Sequence, residues 1–235
     1  MTGEMGMIEY QPPKLSACRR WLEVDLCVPH TTLGWTLIGG GLRQAQCVFW
    51  HQVSDADLPP EVDARLFFGE QIKQRAVDAK GVGFLTGCSL SDFVERRFDR
   101  GGLSARCVAT IGLRNALRIG EPPGTIAVSL GTINILLQVS RPLTECAALE
   151  ALSLVAEART TAVLDGQVPS SIGTAVATGT GTDCIVVASP LSSYGEAEVD
   201  YVGKHTELGH LIGSCVYDAV NYGVWQSKSS QNGQH

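Results

Sequence analysis

The 235-residue sequence has no long run of lysine or arginine, and its formal net charge is −6. A nucleic-acid binder needs a basic stripe to neutralise phosphates, so no such partner is expected. Long apolar runs are also missing. Cys184–Ala188 falls far short of the roughly 20 residues of a membrane-spanning helix. The opening MTGEMGMIEYQPPK has no apolar signal core, and the expectation is a soluble cytoplasmic protein without a membrane partner. The eight cysteines stand singly, with no C-x-x-C pair, and read as buried reduced thiols rather than disulfides or a structural zinc centre. His205 and His210 are five apart, a spacing that does not put two ligands on one helical face. No Gly-Lys pair follows the glycine-rich stretch, which removes a phosphate loop, and no G-x-S-x-G elbow occurs.

What is present supports one packed domain, because 44% of the residues are apolar. Residues 1–15 and the polar end 226–235 read as flexible termini around a domain at 16–225. Strand-like runs occur at Trp21–Val28, Gly34–Ile38, Ala45–Trp50, Ser104–Ile111, Thr125–Leu130, Thr132–Val139 and Cys184–Ala188. Gly39-Gly40-Gly41 and Gly101-Gly102 mark turns between them. Helices are expected over Pro60–Lys80, over Thr144–Leu164 and after Thr206. Leu149, Leu152, Ala156 and Val163 would form the core face of the second, with Glu157 partly buried beside Ala156. Leu208, Leu211, Ile212, Cys215, Val216 and Ala219 would form that of the third. The strands do not alternate regularly with helices, so the expected class is α+β, a single domain with a mixed, mainly antiparallel sheet and packed helices. An α/β layered sandwich is the alternative.

Two segments concentrate functional groups. In Thr178-Gly179-Thr180-Gly181-Thr182, hydroxyls alternate with glycines and run through Asp183 into a strand. Such a loop suits a ligand rich in amides, although it also fits a tight turn with threonines capping backbone groups. Lys204, His205 and Thr206 precede the third helix, placing a cation, an imidazole and a hydroxyl at its N-terminus. Asn115 and Asn134 offer carboxamide partners at strand ends, where asparagine is also ordinary turn chemistry. Glu157 is either an acid-base group or an ion-pair partner.

Five ordered segments together resemble the adenosylcobinamide amidohydrolase family: TIGLRNALRIGEP from Thr110, GTINILL from Gly131, EARTTAVLDG from Glu157, ATGTGTDCIVVAS from Ala177 and YVGKHTELGHLIG from Tyr201. The resemblance runs from about Trp35 to Tyr222. It implies hydrolysis of the amide joining aminopropanol to the corrin ring of adenosylcobinamide, giving adenosylcobyric acid and 1-aminopropan-2-ol for cobamide salvage. It implies a corrinoid substrate whose cobalt is cargo, with no cofactor or catalytic metal held by the protein. A homo-oligomer is compatible with it. Within that chemistry His205 is expected to move protons, Lys204 and loop amides to stabilise the oxyanion, and Asp183 to orient the histidine or the water. Glu157 is the competing base, and Thr180 or Thr178 the rival nucleophile to water. Asn115, Asn134, Thr178, Gly179, Gly181, Thr182 and Thr206 are expected to bind substrate. His210 stands where the family has an acidic residue and is not carried over. A non-catalytic corrinoid carrier and an amidase for another small amide are the alternatives.

Overall fold

The structure, a computed structural model, describes residues 10–16, 19–75, 81–122, 131–192 and 197–232. Strands β1 (Lys14–Leu15), β2 (Trp21–Trp35) and β3 (Gly41–Gln52) precede helix α1 (Ala64–Arg75) and β4 (Val82–Thr86). Strands β5 (Val94–Arg100), β6 (Leu103–Ile111), β7 (Ala116–Leu117) and β8 (Ile133–Val139) lead to α2 (Glu145–Asp165). Strands β9 (Gly179–Thr180) and β10 (Cys184–Pro190) and helix α3 (Glu207–Asn232) complete the order. The main sheet runs β4-β3-β2-β10-β8-β6-β5, with β1 beside β2, while β7 and β9 pair separately. Among the described strand pairs, only β3–β4 and β8–β10 are parallel, and each is joined through a helix. This is the expected α+β arrangement rather than the layered alternative.

Several local expectations change. The first expected strand and Gly34 and Trp35 of the second belong to one long β2, which ends before Thr36; its register shifts between Asp25 and His30 while Cys27 takes φ 70°. A bulge there accommodates Pro29, which an unbroken ladder would not. The Gly39–Gly41 turn forms as read, with φ 78° at Gly39 and 88° at Gly41. Helix α1 starts at Asp63, whose carboxylate accepts from Arg65 N and Leu66 N. The expected strand Thr125–Leu130 and the far end of the Pro60–Lys80 helix lie outside the described residues. The polar end from Gln226 continues α3 as far as Asn232, and Lys14–Leu15 is paired with β2. Among the cysteines, Cys27 and Cys146 are exposed thiols rather than buried ones.

Helix α3 buries its six expected residues. Of the expected face of α2, Val163 is buried and Leu152 and Ala156 pack half-buried against the core, but Leu149 is 59% exposed, and Ala147, Ala151, Leu154, Val155 and Ala162 supply the rest of the buried side. Small alanines let α2 approach β10 closely, where Ile185 and Val187 share its apolar cluster. Glu157 consequently faces solvent. No described helix is long and apolar enough to cross a membrane.

The sheet curls. Its edges β4 and β5 would lie roughly 29 Å apart if it were flat, yet Asn134 Nδ2 on β8 donates to Leu85 O on β4 at 2.7 Å, across three intervening strands. The enclosed face is apolar at Leu22, Val24, Trp50, Phe84, Leu136 and Val186. It also holds a polar layer. Gln138 Nε2 donates to Leu26 O and meets His30 Nε2 at 3.2 Å, while Arg106 bonds Glu95, Gln138 and Gln11 O. Gln138 and Arg106 are tolerated in the interior because these bonds replace the water they lose.

Candidate active site

At one end of the central strands, β9 pairs with β7 and turns directly into β10. That turn brings the Asp183 side chain, 7% exposed, beneath the Thr-Gly loop. Its Oδ1 accepts from Ile133 N at 3.0 Å and from the Thr180 hydroxyl; its Oδ2 accepts from Thr180 N at 3.0 Å and from Arg159 Nη1. An ionised carboxylate offers about four acceptor positions, and all are filled. Arg159, 16% exposed, projects from the buried side of α2. Burial pulls its pKa below the ordinary guanidinium value, but a guanidinium touching a carboxylate stays cationic. Gly179 is the residue that makes this possible: a Cβ there would stand 2.5 Å from Arg159 Nη1 and 2.6 Å from Asp183 Oδ2. Its clearance serves the ion pair rather than a ligand.

The remaining loop residues face outward or tie the loop down. Thr182 is exposed, with its hydroxyl donating to Gly131 O at 3.2 Å, while Thr132 Oγ1 donates to Thr182 O at 2.8 Å. Thr178 Oγ1 accepts from Ile119 N at 2.8 Å. Gly181 is exposed, nearest Leu117 on the inner side. Asn134 is buried, and its amide serves Leu85 O and Thr132 in closing the curled sheet. Asn115 lies against Gly131 with its Oδ1 buried and without a hydrogen-bond partner.

Lys204, His205, Thr206 and Glu157 form a second group. Thr206 caps α3, its hydroxyl accepting from Gly209 N at 3.0 Å and donating to Gly203 O at 2.8 Å. Lys204 Nζ pairs with Glu157 at 2.6 Å, both side chains being more than half exposed. Val202 N donates to Glu150 at 2.7 Å, and His205 is exposed beside Gly203. Glu150 and Glu157 are seven residues apart, two turns along one side of α2, whereas Arg159 lies about half a turn round from both. Helix α2 therefore stands between this group and the Asp183 cluster, and His205 is not among the partners of Asp183.

Residues 9–232 match the model of the family described as Adenosylcobinamide amidohydrolase. The chain belongs to that family. It is also similar to Uncharacterized protein MJ1613 of Methanocaldococcus jannaschii, 38% identical over 92 residues, which is 39% of this chain and 34% of that protein. The chain thus spans about a third of the length of the curated relative it matches.

In this adenosylcobinamide amidohydrolase family member, sequence reasoning missed Arg159 and Trp35. Arg159 sits four residues after Val155 and three before Ala162, on the buried stripe of α2. A charge at that phase needs a partner, and the fold supplies Asp183. Trp35 ends β2, and its Nε1 donates to Asp183 O at 2.7 Å.

Proposed function

We propose that this protein hydrolyses the amide joining aminopropanol to the corrin ring of adenosylcobinamide, releasing adenosylcobyric acid and 1-aminopropan-2-ol for cobamide salvage. Family membership supports the reaction class, and one observation supports its location: the Thr180 hydroxyl donates to an Asp183 carboxylate that is itself fixed by Arg159. In this reading Thr180 Oγ attacks the amide carbon and its proton passes to Asp183 along the existing hydrogen bond. The oxyanion meets the loop amides of Gly181 and Thr182. Collapse breaks the C–N bond as Asp183 passes that proton to the leaving amine, and water then hydrolyses the resulting ester, one of its hydrogens restoring the Thr180 hydroxyl. The corrin's amide arms are matched by the exposed backbone of the loop at Gly181 and Thr182. The cobalt travels with the substrate, a small-molecule partner.

A second reading assigns proton transfer to His205, which is exposed and adjacent to the Lys204–Glu157 pair. Incubation of the protein with adenosylcobinamide, followed by mass spectrometry for the two products, tests the reaction. Thr180→Ala and His205→Ala then separate the readings: the first variant should be silent and the second active if the loop carries the attack. Corrin binding without product would favour a carrier protein.

A further inference from the structure

Trp35 is the last residue of β2 and has 46% of its surface exposed. Its one polar atom is already spent, since the indole N–H donates to Asp183 O at 2.7 Å. The ring is therefore fixed at the reactive loop while its apolar surface remains in water. Leu42, 51% exposed, pairs in register with Leu33, two residues before Trp35. Leu42 and Trp35 are thus diagonal neighbours on one face of the β2–β3 ladder. Across the loop, Leu117 Cδ1 lies 3.3 Å from where a Gly181 Cβ would be, and Ile119 is 85% exposed with its N–H on Thr178. The polar loop runs between two apolar shoulders.

We infer that Trp35, extended by Leu42, is the platform on which the flat macrocycle of the substrate lies while its amide arm reaches Thr180. This rests on the corrinoid reading above. A compact amide would touch the loop alone and has no use for an exposed indole and leucine beside it. A broad, partly apolar ring fringed with amides fits both parts at once: its face covers the indole, and its edge meets the backbone of the loop. Trp35 is then a determinant of substrate selectivity, separate from the groups that act on the scissile bond.

The test compares Trp35→Ala, Trp35→Phe and Leu42→Ala with the wild-type protein. Equilibrium binding of cobinamide is followed by calorimetry, and steady-state hydrolysis of adenosylcobinamide by product mass. Trp35→Ala should raise Kd and KM by at least about tenfold with kcat within about twofold, as for loss of an aromatic anchor. Trp35→Phe, which keeps a ring face and loses the N–H, should stay within about threefold of wild type, and Leu42→Ala should raise Kd by about threefold. If Trp35→Phe is as damaging as Trp35→Ala and both lower kcat, the tie to Asp183 matters and the platform is overturned. Unchanged Kd in Trp35→Ala, with normal wild-type turnover, overturns the platform and leaves the reaction standing. Wild-type protein that neither binds nor cleaves the corrinoid overturns both. Phe at position 35 and Ala at 42 keep the test decisive should Trp35→Ala not fold.

Discussion

Two carboxylate–cation pairs sit on opposite sides of the same helix, and their surroundings separate them. Arg159–Asp183 is nearly buried, at 16% and 7% side-chain exposure, and every acceptor position of its carboxylate is filled. Lys204–Glu157 is 73% and 52% exposed. Water competes for the second pair and screens it, so its contribution is small. The first cannot lose a partner without leaving a charge stranded. Two ion pairs whose α2 members, Glu157 and Arg159, lie two residues apart on opposite sides of the helix thus do different work: one sets the shape of a loop, the other remains free to rearrange.

The contrast can be broken at its strong end first. Arg159→Ala should destabilise the protein by about 3–5 kcal/mol, read from urea unfolding, because Asp183 is left buried and unpaired. A loss below about 1 kcal/mol would put the two pairs in one class. The histidines carry the same contrast. His30 is buried and bonded to Val28 O, and burial lowers its pKa to about 4; His51 is lowered to about 4 for the same reason. The unfolded chain takes up protons below about pH 6.5 that the native state refuses down to about pH 4. Stability is therefore whole above pH 6.5 and falls as the pH drops toward 4, by about 3 kcal/mol for His30 alone. A urea midpoint that stays flat across that window would refute neutral burial.

Smaller effects sharpen the comparison within the site. Thr180→Ala should lower turnover by at least about a hundredfold with the fold intact, while Thr180→Ser keeps it within about tenfold. His205→Ala should cost less than about tenfold; a loss matching that of Thr180→Ala would move the chemistry to the solvent side of α2. Glu157→Gln should change stability by less than about 1 kcal/mol, and added salt should mask the change.

The sequence made some of this visible and hid the rest for identifiable reasons. Helix α3 was legible because its apolar recurrence is regular, and the Gly39–Gly41 turn because positive φ demands glycine there. The phase of α2 was legible only in part, since alanines outnumber large side chains on its buried face and Leu149 points away from it. The Thr-Gly loop and Asp183 stood out by composition. Their coupling to Arg159 did not, because that contact joins residues 24 apart across the fold. Asn134 read equally well as a ligand group and as a structural one; the curl of the sheet, which no local pattern encodes, puts its amide against Leu85 O.

Strand β5 escaped notice because VERRFDR alternates poorly and is mostly charged. It is also a terminal strand of the sheet, with Glu95 bonded to Arg106, Arg96 to Asp218 and Arg97 to Asp99. A strand that is terminal among the described ones and rich in long charged side chains is a poor template for another chain's backbone, since pairing with it would strip those charges of water. The composition that conceals β5 from pattern reading is the one that keeps this border of the molecule from recruiting strands, and neutralising its arginines should be felt first as aggregation.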